Sequence, residues 1–284
     1  MGRKRLLRYY LIGAVTSVLM VILFHWFKNP TFQGVLAPNA LEASGFSPWI
    51  SFFVGIFLFT WLSSAYEIVD QRLLGSKNTK AIFFSVLQGI LIILYITEPL
   101  PHRLLADYSL NTIKIILLGV IQAFMLQGLL ATERHHTGRR PFIYWRAVLV
   151  YAISFLIMRW VSYVLIGVYA EPETLLAVSY TWAALMGMTI GFVFCAIQRY
   201  LSKQQKTAKA FQFTLRFFAP LSVSYHVLFG LFYQLPWGDL VARCFLDILG
   251  VLIASFIVMQ WQVNEYDDSM TEHRRHYHED NAPC

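Results

Sequence analysis

Eight long runs of apolar residues, each interrupted by a short polar connection, set the pattern of this chain from end to end. A helix that crosses about 30 Å of hydrocarbon needs roughly 20 such residues. Eight segments meet that length: Leu6–Phe27, Pro48–Val69, Ala81–Ile96, Thr112–Ala131, Ala147–Ala170, Leu175–Ile197, Phe211–Leu235 and Trp237–Val263. The third is the shortest. An unpaired backbone amide in lipid costs several kcal/mol, so each run is expected to be helical. The pattern predicts an all-α, polytopic integral membrane protein with about eight transmembrane helices and a lipid bilayer as its first partner.

The connections carry a second pattern. Alternate ones hold the basic residues: Arg3, Lys4, Arg5 and Arg8; Arg72, Lys77 and Lys80; Arg134, Arg139, Arg140 and Arg146; Arg199, Lys203, Lys206 and Lys209; Arg274 and Arg275. The other set holds only Lys28 and Arg103, and none around Glu171–Glu173 or Pro236. The positive-inside rule then places both termini in the cytoplasm of a multi-pass protein of the cell membrane. Trp49, Trp145, Trp182, Trp237 and Trp261 fall near expected interfaces, whereas Trp61 and Trp160 fall deeper and are expected between helices.

Polar segments also repeat. Gln71 to Ala81 reads QRLLGSKNTKA, and Gln198 to Ala210 reads QRYLSKQQKTAKA. Around them, in the same order, Trp49 parallels Trp182, His25-Trp26 parallels Arg159-Trp160, and Leu117–Phe124 parallels Ile248–Phe256. Two parallel four-helix repeats follow as the expected organisation, residues 1–131 and 132–263, with 264–284 as a disordered charged cytoplasmic tail. An even number of spans per repeat relates the two by an axis along the membrane normal.

Composition sharpens this reading. Of 284 residues, 57% are hydrophobic and 14% charged, against about 25% charged in a soluble domain, so no separate soluble domain is expected. The net charge of +7 sits in the connections, which makes it a topology determinant rather than a nucleic-acid surface. Cys195, Cys244 and Cys284 are scattered and imply neither disulfides nor a metal knuckle. The tail histidines His273, His276 and His278 lack a fixed geometry for metal. No metal or cofactor is expected, and neither HExxH, GxSxG nor a P-loop occurs.

Candidate chemistry lies with ionisable groups inside the spans, because charge in lipid is costly and faces protein or water. Arg159 sits near the middle of the fifth span; Asp239, Arg243 and Asp247 lie at i, i+4 and i+8 along one face of the eighth. At 1.5 Å per residue, Arg159 and Asp247 reach about the same depth, which allows them to pair. Lys114, with Glu98, His102 and Asp107, crowds the same outer side. These residues are candidates for substrate binding or ion coupling, and the competing reading is a structural ion pair. His226, Pro220 and Arg216 on the seventh span are candidates for gating or proton transfer: Pro220 should kink the helix, His226 could carry a proton, and Arg216 could snorkel.

Three function classes remain. The first is a small transporter or permease with an outward-open polar cavity for a small polar or anionic substrate. The second is a non-transporting membrane subunit, such as a sensor, assembly factor or partner of another membrane protein. A membrane-embedded enzyme ranks third, because no catalytic constellation stands out.

Overall fold

A computed structural model describes residues 3–26, 38–98, 105–133, 143–166, 176–202 and 205–280, with side chains throughout except at 105–108, 176 and 262–280. The connections bearing Lys28, Arg103, Arg134 to Arg140, Glu171–Glu173 and Lys203, and the tail histidines, lie outside the described residues or side chains. Eight helices are long and apolar enough to cross a membrane. They are α1 (Arg3–His25), α2 (Ser47–Asp70), α3 (Lys77–Ile96), α4 (Ser109–Leu129), α5 (Trp145–Leu165), α6 (Ala177–Tyr200), α7 (Lys206–Phe232) and α8 (Trp237–Trp261). The protein is an all-α polytopic membrane protein. The helix that contains α8 continues to Asp280.

Helix limits depart from the apolar runs mainly at basic ends. The helix of α3 begins at Lys77, because Ser76 caps it by accepting from Thr79 N at 3.3 Å. Similarly, α7 takes in Lys206 and Lys209, whose long stems can lie along apolar surface while their heads reach water.

Successive helices run antiparallel. Arg5 pairs with Glu67, Arg8 Nη1 donates to Leu129 O, and Arg72 donates to the carbonyls of Leu201 and Ser202, all at one face of the bundle. We call it the terminal face, since α1 starts there. At the far face, Asn39 N donates to Phe232 O at 2.9 Å and Asn39 Nδ2 to Gly230 O at 3.0 Å. These bonds pin the short helix Ala40–Ala43 beside the end of α7.

Helix pairing follows one rule. α1 packs on α2 and α4, and α3 on α4; α5 packs on α6 and α8, and α7 on α8. Between these sets, α2 meets α7, α3 meets α6, and α3 meets α7. Exchanging α1–α4 with α5–α8 leaves this pattern unchanged, apart from a slight α6–α8 contact that α2 and α4 do not match. The two tightest pairs use glycine, as bilayer helices do where backbones approach closely. A Cβ on Gly13 would meet Ile56 O at 2.9 Å in the α1–α2 pair. In the α5–α6 pair, a Cβ on Gly187 or Gly191 would meet backbone atoms of Tyr151, Ala152 or Val148 at 2.6 to 2.8 Å.

Aromatic rings fill the half of the bundle towards the terminal face. Tyr66, Phe84, Phe217, Phe213, Phe194 and Tyr151 form a continuous buried chain with ring centroids 4.9–6.0 Å apart. Beneath them, Asp70 at the end of α2 is buried at 1% exposure. It accepts from Tyr66 Oη at 2.9 Å and from Thr132 Oγ1 at 2.6 Å, while Lys80 Nζ donates to the Asp70 and Thr132 carbonyls. This clasp ties the ends of α2, α3 and α4 together. Large apolar side chains such as Phe53, Ile113, Phe124, Leu149 and Phe245 point outwards, where lipid would lie. Trp160, expected between helices, is 46% exposed and belongs to that outer surface; Trp182, expected at an interface, is buried.

Candidate functional site

Arg159, Arg243, Asp247 and Glu98 converge behind α3 and α7. Arg159 of α5 donates through Nη2 to Asp247 Oδ2 at 2.9 Å and through Nη1 to Glu98 Oε1 at 3.0 Å. Arg243 of α8 donates to the same Glu98 oxygen at 3.3 Å and to Tyr163 Oη at 3.1 Å. Tyr225 of α7 donates to Glu98 Oε2 at 2.9 Å, and Tyr95 of α3 to Asp247 Oδ2 at 3.4 Å. Arg159 is 1% exposed, with its guanidinium 5.0 Å from the ring centre of Trp182 and 5.5 Å from that of Phe155.

Two arginines thus meet two carboxylates, so the formal charges of the cluster cancel. Burying ions out of water is tolerable only with close partners of opposite sign, and each ion here has one. Local backbone geometry helps to aim them. Val161–Leu165, which continues α5 after Arg159, is a π-helical turn, and it presents Tyr163 to Arg243. Such turns interrupt the α-helical register and are frequent at functional sites.

The remaining sequence candidates fall elsewhere. Asp239 stands in the first turn of α8, half-buried and apart from this cluster among the described residues. There a carboxylate favours the helix dipole. Pro220 is buried at the start of the α segment Ala219–Phe232 of α7, just after the π-helical turn Thr214–Phe218. Sharp bends in helices arise at proline and at π-helical turns, and here the two adjoin. Arg216, within the turn, sits over the Trp61 ring at 5.7 Å. His226 is buried; its Nδ1 contacts Ser222 O at 2.8 Å, and its ring packs edge-on to Tyr225 and Tyr95. Among the described residues, no group of three or more His, Cys, Asp or Glu side chains is placed to hold a metal ion.

On the other side of Tyr95 and Tyr225 lies a cavity of about 540 Å³, within the usual range of small-molecule sites. Residues of α1, α2, α3, α4 and α7 line it, with Pro38 and, from the short helix Ala40–Ala43, Glu42 at the far face. Two helical stripes form its long walls. One is Asn111, Lys114, Ile115, Leu118, Gly119 and Gln122 of α4; the other is Leu221, Ser224, Tyr225, Leu228, Phe229 and Phe232 of α7, with Tyr233 just beyond it. Both follow the i, i+3, i+4, i+7 spacing of a single helix face. Each covers about 16–18 Å of axis at 1.5 Å per residue, roughly the far half of a bilayer. The aromatic chain and the Asp70 clasp fill the other half.

Polar groups gather at both ends of the cavity. Towards the far face, Lys114 is 4% exposed with its ammonium 5.1 Å from the Phe24 ring centre, and His25 Nε2 meets Ser51 Oγ at 3.0 Å. His25 lies in another π-helical turn, Ile22–Trp26. Deeper in, Gln122 Nε2 and Ser224 Oγ are buried without a hydrogen-bond partner. Buried polar atoms are nearly always partnered, so these two leave hydrogen-bonding capacity open on the cavity wall, as do several other buried polar atoms elsewhere in the bundle.

Of the residues expected to contact substrate, only Lys114 lines this cavity; Arg159, Arg243 and Asp247 stand behind its wall. Sequence reading missed the lining residues His25, Gln122, Ser224 and Tyr225. It placed Glu98 near the cluster without recognising it as the joint between both arginines. The exchange of α1–α4 with α5–α8 maps the cavity helices onto α5, α6, α7, α8 and α3, which are the helices that surround the charged cluster. One half of the bundle is hollow where the other is filled with ion pairs. A comparison with protein families, curated proteins and solved structures finds no match to the chain.

Proposed function

We propose that this protein is a small transporter of the cell membrane whose substrate enters the cavity between α4 and α7 from the extracytoplasmic side. The observation that carries the reading is the cavity itself: it spans half the bilayer, ends on an aromatic floor and holds a buried cation and two unpartnered polar groups. The basic residues Arg3, Lys4, Arg5, Arg8, Arg72, Lys77, Arg146, Arg199, Lys206 and Lys209 cluster at the ends of helices on the terminal face, which supports a cytoplasmic position for that face and for both termini.

In this reading the bundle is two parallel four-helix repeats. The pairing pattern that survives exchange of the halves supports a duplication, and membrane carriers use such repeats to rock about a central site. The self-compensated cluster of Arg159, Asp247, Arg243 and Glu98 braces the second half while Lys114 faces substrate. Tyr95 and Tyr225 belong to both the brace and the cavity wall, so a substrate pressing on them would act on the brace. His226 and Pro220, on α7 behind that wall, are placed to respond if α7 moves.

A single cysteine tests the reading. Gly119→Cys fits, because a Cβ there approaches nothing closer than Ser85 O at 4.0 Å. In a background with Cys195, Cys244 and Cys284 replaced, a membrane-impermeant maleimide should label it in right-side-out vesicles. A transporter also labels in inside-out vesicles, more slowly, as the molecule visits its other state. Labelling confined to the extracytoplasmic side would favour a non-transporting subunit, and no labelling from either side would refute an open chamber.

A further inference from the structure

The described carboxylates of the terminal half each face a cation. Asp70 faces Lys80, Glu67 pairs with Arg5, and Glu133 pairs with Lys77. The groove between α2 and α7 is different. Lys209 of α7 stands beside Arg72 of α2, close enough for the two like charges to repel. Arg216 lies two turns further along α7 and is exposed at the outer surface of the bundle. Among the described side chains, no carboxylate pairs with any of the three. Arg72 donates to backbone carbonyls, and Arg216 rests on the Trp61 ring. Lys209 also points away from α8: Phe211, which meets Phe256 of α8 at 5.3 Å, lies about 160° round the helix from it.

Depth makes Arg216 costly. Its guanidinium is held over Trp61, which lies six residues, about 9 Å of axis, deeper than Glu67. The Glu67 pair with Arg5 belongs to the polar rim of the terminal face. Around Arg216 the surface is apolar: Leu215 and Phe57 point outwards, and Phe57 packs on Trp61 with ring centres 5.4 Å apart. A charge facing hydrocarbon is expensive, and a single contact with an aromatic face is worth less than that expense. Snorkelling would carry the guanidinium to the rim, but the contact with Trp61 keeps it below. A negative group drawn down from the rim compensates it where it stands.

We propose that the α2–α7 groove binds an anionic phospholipid of the leaflet at the terminal face, with its phosphate at Arg216, its head group towards Lys209 and Arg72, and its acyl chains on Phe57, Trp61 and Leu215. Basic pockets between membrane helices take anionic head groups in this way. Phosphatidylcholine would bring a trimethylammonium group against Lys209 and Arg72, whereas an anionic head group brings no cation. A soluble phosphate would meet the guanidinium but leave the apolar flank unused. None of these residues lines the chamber, so the site stands or falls separately from the transporter reading.

The test titrates the delipidated full chain in detergent with phosphatidylglycerol, phosphatidylcholine and glycerol phosphate, and reads bound lipid by native mass spectrometry. Phosphatidylglycerol should bind more tightly than phosphatidylcholine by about 10- to 100-fold, the weight of a charge-assisted bond. Arg216→Gln should remove that preference and leave phosphatidylcholine binding unchanged. Lys209→Gln should weaken phosphatidylglycerol by about 5-fold, the weight of one basic residue near an anionic head group, and it tests the site even where Arg216→Gln fails to fold. Lys4→Gln, at the exposed start of α1, should change nothing, and glycerol phosphate in large excess should leave the lipid bound. Equal binding of the two lipids by the wild type, a preference retained in Arg216→Gln, or no change in Lys209→Gln would overturn the proposal. So would a loss in Lys4→Gln as large as that in Arg216→Gln, which means a diffuse basic surface, or displacement by glycerol phosphate, which means a soluble anion.

Discussion

Removing Arg159 separates a brace from a substrate contact, and the structure sets the size of the effect. Arg159→Met leaves Glu98 with Arg243 at 3.3 Å and Tyr225 at 2.9 Å. Among the described residues, Asp247 keeps the Tyr95 hydroxyl at 3.4 Å as its hydrogen-bond donor. The uncompensated charge is therefore Asp247, at 1% exposure. Orphaning a buried ion costs about 3–5 kcal/mol, and the lost stacking on Trp182 and Phe155 adds to it. Asp247→Leu made together with Arg159→Met removes the orphan. The double variant should recover most of the loss, giving a coupling energy of about 2–3 kcal/mol. The assay is SDS-driven unfolding in mixed micelles, followed by tryptophan fluorescence for the two single variants and the double. A cost below about 1 kcal/mol for Arg159→Met, or losses that simply add in the double variant, would refute the reasoning.

Other sites give sharper contrasts. Asp70→Asn removes the charge that faces Lys80, Thr132 and Tyr66 and should destabilise the bundle by about 3 kcal/mol in the same titration; a change within about 0.5 kcal/mol would show that the clasp contributes nothing. Gly191→Leu places a Cβ 2.8 Å from the Val148 Cα and should split the α5–α6 pair, abolishing monodisperse elution in detergent; a folded, wild-type-like elution profile would contradict the close packing. Gly89→Ala lies on the cavity wall, where a Cβ meets nothing within 4 Å, so it should leave the unfolding midpoint unchanged or raised, and a marked fall would mean that the space is already filled.

The spans are legible in the sequence because lipid demands an apolar run wherever a helix crosses it, whatever the fold does with that helix. Depth is legible too: counting residues brings Arg159 and Asp247 level, and they meet at 2.9 Å. Glu98 is harder to see, because it lies just beyond an apolar run and reads as part of a connection; only the packing of α3 against α6 and α7 brings it under Arg159 and Arg243. The cavity is harder still. In a soluble protein a stripe such as Asn111, Lys114, Ile115, Leu118 and Gln122 would be read against polar neighbours. Here its neighbours Ile113, Ile116 and Leu117 are just as apolar because they face lipid, and hydrophobicity does not distinguish lipid from protein interior. Two of the informative polar groups, Gln122 and Ser224, carry no charge, and an isolated uncharged polar residue within a long apolar run does not by itself signal a site.

The central claim is that one face of α4 borders a chamber reached from the far side of the membrane. Single cysteines placed in turn at each position from 111 to 122 and exposed to an impermeant thiol reagent from the extracytoplasmic side test it most directly. The account predicts reaction at 111, 114, 115, 118, 119 and 122, the lining positions, and silence at 113, 116, 117 and 120, which face outwards. Uniform silence along the helix, or reactivity that peaks on the outward positions, would contradict it.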